Sequence, residues 1–156
     1  EPTGLWCGGS MELKEHAQTM SLSGRSAGPT LPGITGEMRR QVLYLGLFPN
    51  LLISLHPDYV MFHRIEPLAP DRSLVECRWL FAADAEASKS ETSPADAVEF
   101  WDLTNRQDWR ACESVQRGAA SRGYRPGPLA LEEGAVHQFL TMVARGYLEG
   151  RPGLPS

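Results

Sequence analysis

The chain has no surplus of basic residues: fifteen Lys and Arg stand against nineteen Asp and Glu, for a formal net charge of -4. Without a basic stripe it has nothing with which to hold a phosphate backbone or an anionic bilayer, so neither nucleic acid nor membrane is an expected partner. It lacks any apolar run near the roughly 20 residues of a membrane span. Its opening residues, Glu1-Pro2-Thr3-Gly4, have neither the basic nor the apolar region of a secretory signal, and a cytoplasmic protein is expected. Cysteine is scarce. Cys7, Cys77 and Cys112 are odd in number and far apart, with no Cys-x-x-Cys spacing, which argues against a disulfide framework or a cysteine zinc site and predicts buried thiols. No initiator Met stands at position 1, so the sequence reads as a stretch of something longer, with 156 residues sufficient for one folding unit.

What is present changes texture along the chain. Residues 23–36 are rich in Gly, Ser and Pro and read as a loop after a short first segment, with the Gly8-Gly9 pair as a turn. The stretches 41–48, 51–56, 59–66 and 73–82 are rich in Val, Ile, Tyr, Phe and Trp and are broken by Pro-Asn, Pro-Asp and Ala-Pro-Asp. That spacing predicts consecutive antiparallel strands. In the last of them Leu74, Glu76, Arg78 and Leu80 alternate with Val75, Cys77, Trp79 and Phe81, which puts Cys77, Trp79 and Phe81 on one buried face.

A helix is predicted from Pro94, with Ser93 as N-cap and Asp96 near the positive end of the dipole, to a stop at Gly118. Val98, Trp101, Asn105, Asp108, Trp109, Cys112, Val115 and Gln116 share one side of its wheel. A second helix is expected over 131–148, with Val136, Leu140, Val143 and Tyr147 toward the core. A sheet followed by helices packed on one face is an α+β arrangement, and the space between them is a natural ligand cavity.

Asp108 is the residue that breaks its pattern. A carboxylate on a buried stripe costs several kcal/mol unless it is paired, protonated or bound to a cation. Two readings follow from the residues: a structural carboxylate held by an Arg or by loop amides, or a metal ligand, since a carboxylate facing a cavity suits divalent iron when two imidazoles join it. His56 and His63, on neighbouring strands, read as hydrogen-bonded strand histidines rather than a second metal site, and His137 as a histidine satisfied by a carbonyl. Trp6, Trp79, Trp101 and Trp109 are core residues or, alternatively, a cage for a quaternary ammonium.

Four blocks carry a resemblance. The run Asn-Arg-Gln-Asp-Trp-Arg-Ala-Cys-Glu-Ser-Val-Gln-Arg-Gly at 105–118 resembles the helix that supplies the iron carboxylate in Rieske non-haem iron oxygenase α subunits, most of all in the branch with choline and carnitine monooxygenases. The run Leu-Phe-Pro-Asn-Leu-Leu-Ile-Ser-Leu-His-Pro-Asp-Tyr-Val at 47–60, continuing to His63, Pro67 and Pro70-Asp71-Arg72, resembles a strand pair of the same domain. Gly8-Gly9-Ser10-Met11 with Thr19-Met20-Ser21, and Ser121-Arg122-Gly123-Tyr124 through Glu133 to His137 and Phe139, agree in order.

The resemblance implies a catalytic domain of helix-grip (START/Bet v1-like) type, a curved antiparallel sheet against long C-terminal helices, with residues 1–156 as its C-terminal part. It implies Asp108 as the catalytic, iron-ligating carboxylate, preferred over Asp102 at the stripe's edge and over Asn105. The parent would use mononuclear Fe(II) and O2 to hydroxylate an aromatic ring or oxidise an N-methyl or quaternary amine substrate. A [2Fe-2S] Rieske cluster would be fed by a reductase or ferredoxin, in a homotrimer. The chain departs from the family in having no Cys-x-His pair for a cluster, so the Rieske domain is expected to be absent. It also has no two His four residues apart, so only one member of the iron's facial triad is expected in it, and no activity from it alone. The alternative is a standalone helix-grip protein that binds a small apolar ligand without chemistry.

Overall fold

The computed structural model describes residues 4–83 and 92–150. Five strands, β1 (Trp6–Glu12), β2 (Gln41–Leu47), β3 (Leu51–Leu55), β4 (Tyr59–Ala69) and β5 (Arg72–Phe81), form one antiparallel sheet in sequential order. Two α-helices follow, α1 (Pro94–Ala119) and α2 (Gly134–Glu149). The architecture is α+β, as expected, and the strands from β2 to β5 lie where the turn dipeptides put them.

β1 is a correction. Gly8 and Gly9 lie inside this strand, opposite Leu45 and Tyr44, rather than in a turn. The reason is steric: a Cβ on Gly8 would stand 2.1 Å from the Tyr44 carbonyl oxygen, so the edge strand approaches β2 only where no side chain intervenes.

Cross-strand register places Tyr44, Ser54, Met61 and Trp79 in one row on the inner face, with Tyr59 and Phe81 in the row beside it and Leu52, His63 and Cys77 beyond. The first half of α1 closes this face. Tyr59, Met61, Ala97 and Trp101 form the buried core, flanked by Met20, Tyr44, Cys77, Trp79, Phe81 and Phe100. The outer face carries Arg64, Glu66, Glu76 and Arg78 as an exposed ion-pair network. There the Arg78 and Arg64 guanidiniums hold the Glu76 carboxyl below its usual range.

α1 begins as the sequence predicts: Ser93 Oγ accepts from the Ala95 amide and Pro94 occupies the first position. Its Asp96 carboxylate accepts from both the amide and the hydroxyl of Ser23, which ties the 18–31 loop to the helix start. Burial alone would raise the Asp96 carboxyl; the Ser23 and Ser21 hydrogen bonds outweigh it and hold the group low.

Beyond Asn105 every α1 residue is exposed, so the inward stripe expected to run through Gln116 stops about three turns short. Val115 is 70% exposed and Cys112 lies open, which corrects the expectation of a buried thiol there; Cys7 is buried and Cys77 half-buried. The α2 stripe is corrected too. Met142 is the buried residue of that helix, while Val136, Leu140 and Tyr147, about half a turn of the wheel away, are exposed. α2 rests on the β1 side through Met142 and a tilted contact between Phe139 and Phe48, with ring centroids 5.9 Å apart.

His56 is fully buried at the β3–β4 corner, its ring stacked on Tyr59 at 4.1 Å, and neither ring nitrogen has a hydrogen-bond partner. Contrary to the expectation of a hydrogen-bonded strand histidine, its ring is held by the Tyr59 stack and an edge contact with Trp101, and only its backbone amide is bonded, to the Tyr59 carbonyl at 2.9 Å. Burial pushes its pKa down to about 3. A histidine whose folded pKa lies below its unfolded value stabilises fully above the unfolded pKa, and that stability drains as pH falls toward the folded one. Stability should therefore fall between about pH 6.5 and pH 3, by about 1.4 kcal/mol per pH unit through this group. Asp58, raised by burial against the pull of Thr19 and the Ala27 amide, acts in the opposite sense, since protonation relieves its desolvation. In denaturation series at pH 7 and pH 5, His56→Phe should be neutral or stabilising at pH 7, because it removes two unpaired nitrogens and keeps the stack, and should flatten the acid slope. A variant less stable at pH 7 with the slope intact would refute this account of His56.

Candidate functional site

Where α1 meets the inner face, three hydrogen bonds fix its rotation and height. Trp101 Nε1 donates to Tyr59 Oη at 2.7 Å, and Tyr59 Oη donates onward to the Met20 carbonyl at 2.6 Å. Helix, sheet and loop are joined through one phenol. Burial drives the Tyr59 hydroxyl far above its usual pKa, so it remains a donor across the working range. One turn further along α1, Asn105 is only 4% exposed; its Oδ1 lies 3.0 Å from His63 Nε2 and its Nδ2 donates to Cys77 Sγ at 3.6 Å. The carbonyl-type oxygen can only accept, so the His63 N–H points at Asn105.

Asp108 lies on the same azimuth. At 100° per residue, positions 101, 105, 108 and 112 fall within about 60° of one another on the wheel. The expected burial fails: Asp108 is exposed, because the sheet's cover ends at Asn105 and nothing among the described residues lies over the next turn. A solvated carboxylate carries no desolvation cost and demands no compensating partner, so the argument from buried charge does not apply to it in this chain. Asp102, the competing acid, is also exposed and hydrogen-bonds Arg106 at 2.7 Å one turn along. Asn105, by contrast, occupies the buried place on the stripe and is uncharged.

The described residues contain no group of three His, Cys, Asp or Glu able to hold a metal. Asp108 is a hard oxygen donor suited to divalent iron, but one carboxylate is not a site, and the residues present do not by themselves fit a resident mononuclear iron. Of the four tryptophans, Trp6 is 56% and Trp109 38% exposed, and no ring contact joins any two of them, so they form no cage among the described residues. His137 is exposed at the start of α2. The His63–Asn105 bond is the feature that sequence reasoning undervalued; its signal was a polar residue on the inward stripe facing a histidine on an adjacent strand.

Residues 2–149 match the family described as the ring hydroxylating alpha subunit (catalytic domain), and the chain belongs to that family. Among its relatives, the glycine betaine monooxygenase oxygenase subunit of Chromohalobacter salexigens is 32% identical over 114 residues, 73% of this chain and 25% of that protein. The protein of the same name from Pseudomonas aeruginosa (strain UCBPP-PA14) is 33% identical over 119 residues, 76% of this chain and 25% of its own. The chloroplastic choline monooxygenase of Arabidopsis thaliana is 29% identical over 99 residues, 64% of this chain and 23% of that enzyme. The chain thus spans about a quarter of the length of the relatives it matches. No described helix is long and apolar enough to cross a membrane.

The anchor can be tested directly. Tyr59→Phe leaves Trp101 Nε1 and the Met20 carbonyl without their shared partner, and each unsatisfied buried group costs about 1–3 kcal/mol. A loss of about 2–4 kcal/mol is expected in urea denaturation; a loss below about 0.5 kcal/mol would show that the relay does not hold α1 to the sheet.

Proposed function

We propose that this chain is the C-terminal part of the catalytic domain of a Rieske-type terminal oxygenase α subunit, of helix-grip type, whose Rieske domain is encoded elsewhere in the parent. The observation that carries this reading is the family match over 2–149, joined to an inner sheet face closed by a helix, which is where such a domain would enclose a small substrate. In the parent, Asp108 is the carboxylate ligand of the mononuclear iron, and the two imidazoles come from residues outside this chain. What supports Asp108 is the sequence block at 105–118 and its azimuth in line with Trp101 and Asn105. When bound, the iron would supply dioxygen activation, with electrons from a [2Fe-2S] cluster and a reductase or ferredoxin. This chain's residues supply one donor and the rigid mounting of the helix that bears it.

The substrate is a small organic molecule, an arene or an N-methylated amine. The names of the relatives favour a methylated quaternary amine. A homotrimer is the expected assembly of the parent.

DNA upstream of Glu1 should encode Cys-x-His, Cys-x-x-His and then two His four residues apart; a reading frame without them overturns the oxygenase reading. In the full-length protein, Asp108→Ala should empty the mononuclear site, read as iron by mass spectrometry, and abolish substrate oxidation while the cluster's visible absorption persists. Undiminished iron in that variant would remove Asp108 from the site and bring Asp102 forward. The 156-residue chain alone, dialysed against ferrous iron under argon, should retain no stoichiometric metal, since one carboxylate of three ligands supplies little of a site's binding free energy. Stoichiometric iron in the isolated chain would contradict the ligand assignment.

A further inference from the structure

The His63–Asn105 pair has a chemical consequence beyond anchoring α1. His63 stands on the inner-face row of Leu52 and Cys77, at the limit of the cover that α1 provides; Leu52 is 45% exposed, and His63 itself is half-buried. On one side the row is closed by Trp101, whose ring meets His63 edge-on at 6.3 Å. At the row's other end Leu52 is the exposed member, and the α1 residues after Asn105 are exposed as well. The Asn105 amide is itself oriented, with Nδ2 on Cys77 Sγ and Oδ1 toward His63. That leaves Nε2–H engaged, while the second ring nitrogen has no hydrogen-bond partner among the described residues.

We propose that His63 is a substrate-contacting, specificity-determining residue whose Nδ1 accepts a hydrogen bond from a hydroxyl of the substrate, with Asn105 setting the tautomer. The proposal rests on the reading that the substrate lies between α1 and the inner face. It narrows the substrate to an amine carrying a hydroxyl: with its one N–H engaged, a neutral imidazole offers a lone pair, which a hydroxyl can satisfy and a carboxylate cannot. The geometry thus favours choline-type over betaine-type molecules. Discrimination of this kind arises when the bound ligand covers the nitrogen and either pairs it or leaves it unpaired.

The test uses the full-length protein, with choline and glycine betaine as probes in calorimetric binding and steady-state kinetics. The wild type should bind choline more tightly. His63→Phe, which keeps a ring against Trp101, should raise the Kd and KM for choline by about tenfold, change kcat by less than about threefold, and erase the preference. His63→Gln, able to donate to Asn105 and still accept from the substrate, should restore choline binding to within about threefold. If the Phe variant does not fold, His63→Asn, polar but too short to span both partners, serves in its place and should show the same loss. Unchanged Kd for both probes with only a lower Tm would reduce His63 to a structural anchor and overturn the proposal. So would a loss confined to betaine, because it would mean that the ring donates rather than accepts. If Asp108→Ala empties the iron site while His63 variants leave choline binding intact, this inference alone fails. If the wild type binds neither probe, the amine reading falls and takes the inference with it.

Discussion

The fold hangs on a single phenolic oxygen. Tyr59 Oη accepts from the Trp101 indole and donates to the Met20 carbonyl, so it joins the only part of α1 that is buried, the centre of the sheet and the loop that crosses the helix start. The Trp101–Tyr59 bond is buried, where a missing hydrogen bond has no water to replace it, and the Met20 end is part-buried. Around this point Ala97 and Trp101 press on Tyr59 and Met61, and the Asp58 carboxylate accepts from the Ala27 amide to hold the loop's far end. The loop could not cover the sheet without these contacts. It is poor in apolar side chains and is secured by hydrogen bonds to Asp58, Tyr59 and Asp96 instead.

From that fixed point the helix reads as two halves with different physics. Its first three turns are amphipathic and anchored; from Arg106 onward it is exposed on every side, although the sequence keeps Trp109, Cys112 and Val115 on the same side as Trp101. An exposed Trp and Val on one broad side of a helix make a surface that monomeric domains seldom leave uncovered. Within this chain the sheet ends too early to cover it. Asp108 sits at the changeover, held in direction by Asn105 and His63 one turn below and free at its own head.

Much of the sheet was legible in the sequence, because Pro-Asn, Pro-Asp and Ala-Pro-Asp break β-branched and aromatic runs at lengths that suit strands. The Ser93-Pro94 start of α1 was legible because capping chemistry is local. β1 was not: its two glycines carry the signal of a turn, and only the approach of the Tyr44 carbonyl, 36 residues along the chain, explains why the strand needs a glycine at position 8. Burial on α1 and α2 was misread for a different reason. A helical wheel reports azimuth, whereas burial depends on whether something lies above that azimuth, and for Asp108, Val115, Leu140 and Tyr147 nothing among the described residues does. The azimuth of Asp108 survives that distinction; the charge-burial argument drawn from it does not.

The same distinction separates the two strand histidines, which the sequence could not tell apart. His56, at the β3–β4 corner, and His63, on β4, lie seven residues apart and both face inward. Yet the first is sealed beneath Trp101, its nitrogens unpaired and its pKa pushed to about 3, which suits a packing ring and little else. The second stands just past Trp101, where the helix cover ends, half-buried and with one nitrogen engaged by a buried amide. A group poised for chemistry or recognition needs both a fixed orientation and an accessible face. Of the polar residues on the described inner face, His63 meets both conditions, Asn105 meets only the first, and His56 is oriented by stacking but reaches nothing outside the core. The position of Trp101, which is set by the Tyr59 relay, is therefore what divides this face into a sealed interior and a margin where a ligand can be read.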